Sequence, residues 1–291
     1  MGNLQLFAAC VAIWGSTWLA IKFQLGHVAP EASVFYRFLL ASVLIFAYCL
    51  ARRLPLRYGG RGHAWLALQG VLMFSVSYIF VYYAEAHVVS GLVAVGFSAS
   101  PLLGMLGMRA FFGTPMTSRL TTGSVLGIAG IALVFWPEFA HMRSDGDTAL
   151  GAIYTMLAVA ISALGSLVAY RNQQSRLPLW QSMAWGMLYG SLFSLGVALA
   201  TGKALTVELT APYALSLAYL AVLGSIVAFA GYLTLIKRIG AARAGYIGVM
   251  VPIVALVISS LFESFRWHPF TAFGIAVSVA VNIVILREKR G

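Results

Sequence analysis

Acid–base and metal chemistry need clustered titratable side chains, and this sequence scatters them. Its five histidines, His27, His63, His87, His141 and His268, fall in loops or at the ends of apolar runs. Its only aspartates, Asp145 and Asp147, share one loop, so no aspartyl pair stands inside an apolar run. There is no His-Glu-x-x-His, and Gly96-Phe97-Ser98-Ala99-Ser100 lacks the final glycine of a nucleophile elbow. Cys10 and Cys49 lie in apolar runs and give neither a disulfide framework nor a metal spacing. These absences argue against an enzyme and call for no metal and no cofactor.

The apolar runs carry aromatics, hydroxyls and one clear charge instead. Trp14 and Trp18 share a helical face beside Ser16 and Thr17. Ser75, Tyr78, Tyr82 and Glu85 follow i, i+3, i+7 and i+10 on another face. Ser162, Ser166 and Tyr170 repeat every fourth residue, and Ser225 and Tyr232 share a later run. Hydroxyls in hydrocarbon need partners, so these faces should point inward, toward helix packing or a pathway. Aromatic walls with a few hydroxyls suit a small amphipathic or aromatic solute. The candidate substrate-binding residues are Trp14, Trp18, Tyr78, Tyr82, Ser98, Ser166, Ser225 and Tyr246.

Arg37, about a third of the way into its run, is a secondary candidate for a charge in the pathway. The structural alternative pairs it with Glu31 or lets it snorkel outward. Glu85 and Glu263 stand at run ends, as solvated loop acids or as groups that gate or sense protons. No chain of buried Asp, Glu and His is legible as a proton relay. Gly91 and Pro101 interrupt one run, and Gly245, Gly248 and Pro252 another. Matched interruptions point to a hinge or transport site. Close packing, as the Gly123-x-x-x-Gly127 and Gly186-x-x-x-Gly190 spacings suggest, is the other reading.

The elements that must position these residues follow from composition. The 291 residues are 61% hydrophobic and only 9% charged. Soluble domains carry about 25% charged residues, so this chain covers a lipid-facing surface, not a watery one. Runs of about 20 apolar residues, enough to cross about 30 Å of hydrocarbon, fall near 4–24, 32–51, 64–84, 89–112, 119–137, 148–170, 180–201, 212–235, 241–262 and 268–286. They lack the alternation of barrel strands. The fold class is therefore all-α integral membrane with ten transmembrane helices.

Of 19 lysines and arginines, only Lys22, Arg143, Lys203 and Arg266 fall on the side opposite the termini, with Arg37 inside a span. By the positive-inside tendency both termini are cytoplasmic. The net charge of +11 then belongs to short loops and not to a nucleic-acid surface. Trp65, Trp136, Trp180, Trp267 and Tyr213 sit at span ends, as an interfacial belt would place them.

Residues 1–140 and 145–291 look like two versions of one unit. A shift of 151 lays Pro101 on Pro252, Gly123 on Gly274 and Val71-Leu72 on Val222-Leu223, and a shift of 150 lays Gly15-Ser16 on Gly165-Ser166. Five spans per unit would invert the second relative to the first, an architecture common in secondary transporters.

Several segments resemble the ten-helix drug/metabolite transporter superfamily of EamA type. Trp14-Gly15-Ser16-Thr17-Trp18-Leu19-Ala20-Ile21-Lys22 looks like its opening signature, Phe35-Tyr36-Arg37-Phe38 like its second-helix motif, and Ser90-Gly91-Leu92 through Ser100-Pro101-Leu102 like its fourth helix. Gly123, Gly127 and Gly130 resemble its fifth. Many members carry Gly-Glu after the fourth and ninth helices; here Thr114 and Phe265 stand at the glutamate positions, with Glu263 two residues early. The resemblance implies export of small metabolites from a bacterial inner membrane, by alternating access between two five-helix halves. The aromatic faces resemble the YddG-like aromatic amino-acid exporters within it. The expected partners are a small-molecule substrate and the lipid bilayer and not nucleic acid, with the oligomeric state open and a monomer one option. The alternative is a multidrug or nucleotide/sugar-type exchanger of the same superfamily.

Overall fold

The computed structural model describes residues 2–113, 146–175, 177–239, 247–265 and 267–286, with isolated positions between 122 and 133. Regular structure among them is helical. Helix α1 is Asn3–Lys22, α2 Pro30–Ala51, α3 Gly60–His87, α4 Ser90–Phe112, α5 Gly146–Gln174 and α6 Leu179–Ala200. Helix α7 runs through Ala211–Tyr219, Leu220–Val227 and Ala228–Ile239, α8 is Ile247–Phe262 and α9 is Pro269–Leu286. Helices α1 to α7 are long and apolar enough to cross a bilayer. The expected span over 119–137 lies largely outside the described residues, as do Gly245 and Tyr246.

Local signals set the boundaries. Pro30 opens α2, where its fixed φ suits the first turn and no donor is lost. Gly113 and Gly202 end α4 and α6 at φ +66, a left-handed stop that a side chain would strain.

The irregularities fall partly where the sequence pointed and partly elsewhere. Helix α4 tightens into a 3₁₀ turn at Phe97–Ala99, and Pro101 stands in the first turn of the segment that follows. Pro252 is buried within the helix Ile247–Phe262. Two further breaks carry no proline. Leu72–Val76 in α3 and Leu220–Val227 in α7 are π-helical.

The most extensive contacts join helices before residue 140 to helices after 145. Helix α2 lies on α6, the first half of α3 on α6 and its second half on α5. Helix α1 lies on α8 and α7, the start of α4 on α8 and the rest of α4 on α5. Small residues bring α3 and α6 to backbone contact. A Cβ on Gly70 would sit 2.1 Å from the Gly186 carbonyl oxygen, and one on Gly190 2.7 Å from that of Gly70. Without a hydrophobic drive between helices in lipid, such close approach supplies the attraction. Leu50, Leu192, Phe193, Leu199 and Leu215 are exposed. That outward apolar surface suits hydrocarbon.

Tyr213 departs from its expected place in an interfacial belt. It is buried, its hydroxyl 2.9 Å from Ser33 Oγ, because α7 leans on α2 at that end.

Candidate functional site

The π-helical stretch of α7 is where α1 and α2 of the first half meet the second. A π turn closes its bonds over five residues and leaves main-chain groups free to bond elsewhere. Ser225 Oγ accordingly donates to the Leu220 carbonyl, five residues back, at 2.9 Å. The Gly224 carbonyl accepts from Trp14 Nε1 of α1 at 3.1 Å. Arg37 of α2 donates through Nε to Ser225 Oγ at 3.3 Å. Gly224 has to be small, since a Cβ there would lie 2.8 Å from Thr17 Cγ2 and 3.5 Å from Arg37 Nη2.

Arg37 is 1% exposed, and its guanidinium carbon lies 4.5 Å from the Tyr78 ring centroid and 5.1 Å from that of Phe38. Desolvated cation–π contacts of this kind contribute about 2 kcal/mol or more. Its Nη1 has no hydrogen-bond partner. Arg37 neither snorkels nor pairs with Glu31: among the described residues the ion pair is Lys22–Glu263, and Glu31 Oε1 instead accepts from the Tyr83 hydroxyl at 2.6 Å.

A second polar cluster closes the end of the bundle where α1 and α3 finish. Lys22 Nζ donates to the Glu85 and Val88 carbonyls, at 2.5 and 3.1 Å, and lies 3.7 Å from Glu263 Oε1. Glu263 also accepts from the Ser90 amide at 3.2 Å, from Ser90 Oγ and from Ser259 Oγ at 2.5 Å. The Gly91 amide donates to Ser259 Oγ at 2.9 Å. Beneath this cluster Glu85 is fully buried and neither carboxyl oxygen has a partner. Gln24 accepts from the Tyr82 hydroxyl at 2.5 Å, while its Nε2 is unpartnered.

The expected residues therefore divide. Trp14, Tyr78, Ser225 and Arg37 come together at the π stretch, with Phe229 and Tyr232 beside Trp14 at ring distances of 5.2 and 5.4 Å. Trp18 packs on Phe97 at 5.1 Å and leaves Nε1 unpartnered. Tyr82 belongs to the cluster around Gln24. Ser98 donates to the Val95 carbonyl of its own helix at 2.6 Å. Ser166 is exposed, bonded to the Ser162 carbonyl at 2.9 Å, and joins neither cluster. Gly91 serves close packing, a Cβ there falling 2.8 Å from Ser259 Oγ. Sequence reasoning left Gln24, Ser90 and Ser259 unmarked and had no signal for the burial of Glu31. For Glu85 the signals were its place on the inward face with Ser75, Tyr78 and Tyr82, and that Lys22, Glu85 and Glu263 all end spans on the same side.

A groove of about 400 Å³ runs between Leu6 of α1, Trp180 of α6 and Ile226, Ala230, Thr234 and Arg238 of α7. It reaches Val227, two residues from Ser225, on the side of the α1 N-terminus. None of the described residues anticipated for substrate lines it. Among the described residues no group of three His, Cys, Asp or Glu side chains is placed to hold a metal ion.

Long apolar helices with polar side chains drawn into their shared interior define a multi-pass helical membrane protein. The chain belongs to the EamA-like transporter family, which matches residues 1–136 and again 149–287. It is 29% identical over 97% of its length to the uncharacterized inner membrane transporter YedA of Escherichia coli K12, covering 91% of that protein. An uncharacterized transporter of Archaeoglobus fulgidus is 24% identical over 94% of each chain. The uncharacterized transporter YvbV of Bacillus subtilis is 24% identical over 88% of this chain and 82% of its own. A crystal structure with 16% identity superposes with a TM-score of 0.69 over 99% of each chain, a likeness of fold alone.

Proposed function

We propose that this protein exports amino acids, aromatic ones included, or similar small amphipathic metabolites across a bacterial inner membrane. Transport is by alternating access, through a cavity between repeats 1–140 and 145–291, with both termini cytoplasmic. The observation that carries the substrate class is Arg37. A buried guanidinium with an unpaired Nη1, stacked on Tyr78 and Phe38, is a fixed carboxylate receptor with aromatic walls. The relative named an inner membrane transporter supports the location.

Exchanging the two halves maps the packing onto itself, which supports the inverted repeat. The contact of α2 with α6 and that of α4 with α8 each map onto themselves. The contact of α3 with α5 maps onto that of α7 with α1, and α1 with α8 onto α5 with α4. The π stretches at Leu72–Val76 and Leu220–Val227 occupy corresponding helices. The separate family matches to each half agree. The Lys22–Glu263 and Ser90–Ser259 contacts act as the closed outer gate, and the groove beside Val227 as the inward approach.

Purified protein in liposomes is expected to show saturable uptake of labelled aromatic amino acids. Tyr78→Ala, which removes the closer cation–π contact of Arg37, should reduce it about tenfold or more with expression and folding intact. Equal uptake by wild type and Tyr78→Ala would remove Tyr78 from the site. Uptake only into vesicles preloaded with a nucleotide sugar or a drug would favour the exchanger.

A further inference from the structure

Two carboxyl groups share the closed end of the bundle in opposite surroundings. Glu263 is fully partnered: a backbone amide and two serine hydroxyls donate to it, and Lys22 lies 3.7 Å away. Glu85 has no exposed surface and no donor to either oxygen. An ionised carboxylate buried without hydrogen bonds is far costlier than a neutral carboxyl in the same place.

None of the groups facing Glu85 hydrogen-bonds its carboxyl. Lys22 from α1 is held by the Glu85 and Val88 carbonyls and by Glu263. Glu31 from α2 is tied to Tyr83. Tyr82 gives its hydroxyl to Gln24. His87 and Tyr83, on the same helix as Glu85, lie against Tyr154 of α5. Arg37 is a charged neighbour of Glu85 with a buried Nη1 still unpartnered, and Tyr82 lies within electrostatic reach of both. Arg37 Nη1 and both Glu85 carboxyl oxygens are thus buried without hydrogen-bond partners, a donor and an acid that the two ends of an amino-acid zwitterion would complement.

We propose that Glu85 is the proton-exchanging group of the transporter, holding a proton in the substrate-free state and yielding it when the ammonium of an amino acid arrives. This rests on the reading of Arg37 as the carboxylate receptor. The Glu85 O–H bond breaks and its proton passes to water on the side to which the site is open. A substrate N–H then donates to the freed carboxylate while the substrate carboxylate takes Arg37. One neutral zwitterion enters and one proton leaves, and both buried charges end up paired. Export of the substrate is thereby tied to entry of a proton.

Full-length protein in liposomes tests this two ways. Infrared spectra at neutral pH should show a protonated-carboxyl band that is absent in E85Q and that is lost from wild type on adding saturating aromatic amino acid. Uptake of the labelled amino acid should be accelerated by an acidic lumen in wild type and in E85D, and E85Q should lose that response. Saturable uptake indifferent to the gradient, or a band unchanged in E85Q, overturns the proton role and leaves the carrier reading standing. Absence of saturable uptake of any amino acid overturns the carrier reading, and this inference falls with it.

Discussion

At the scale of single residues, the interior is organised by polar groups that hydrocarbon cannot solvate. Tyr82 is an example: its hydroxyl is bonded to Gln24 Oε1, and both residues are buried. Tyr82→Phe keeps the ring and strands the amide oxygen. Leaving a buried acceptor unsatisfied costs about 1–3 kcal/mol, so the variant should melt at lower temperature than wild type, as read by a thermal shift in detergent. Arg37 was legible from sequence, because a lone charge in an apolar run stands out whatever the fold. Its partners were not, because Ser225 is 188 residues away and only the packing of α2 on α7 brings them together.

At the scale of elements, the helical irregularities are a 3₁₀ turn in α4, π stretches in α3 and α7 and a proline within α8. The sequence located interruptions in α4 and α8, where proline removes a backbone donor. It gave no sign of the π stretches in α3 and α7, which no proline or matched glycine pair marks. These cost a regular bond and persist because the bundle holds them, as the Trp14 bond to Gly224 illustrates. The crossing of α3 and α6 depends on glycine. Gly70→Ala would place its Cβ 2.1 Å from the backbone oxygen of Gly186, which no rotamer change relieves. It should destabilise by about 1–3 kcal/mol or more. Gly196→Ala in α6 meets nothing within 4 Å and should stay within about 0.5 kcal/mol. Parallel melting curves compare the two, and equal melting temperatures would mean that the crossing tolerates separation.

At the scale of the whole molecule, the most extensive contacts among the described residues join helices before residue 140 to helices after 145, and the candidate residues Trp14, Arg37 and Ser225 meet along that seam. Orientation is the remaining global property, and charge predicts it. Lysine and arginine concentrate on the side of the termini, the side expected to face the cytoplasm. With Cys10 and Cys49 replaced by alanine, His27→Cys between α1 and α2 should react with a membrane-impermeant maleimide on intact cells. Gly59→Cys between α2 and α3 should react only after permeabilisation, and the reverse pattern would invert the topology.

The sequence by itself determined that the chain is helical and membrane-embedded, where its apolar runs lie, and that one cation, Arg37, stands well inside a run. These follow from local composition: an apolar run of about 20 residues must be a helix in lipid, because only a helix satisfies its own backbone there. Only the tertiary structure decided which polar residues are partnered and which are left unsatisfied. Lys22, Glu85 and Glu263 read alike as span-end charges. The approach of α4 and α8 over the end of α1 then gives Glu263 its donors and Lys22 its partners, and seals Glu85 away from both water and hydrogen bonds. Burial of that kind belongs to distances between helices, and those are set by side chains far apart in the chain.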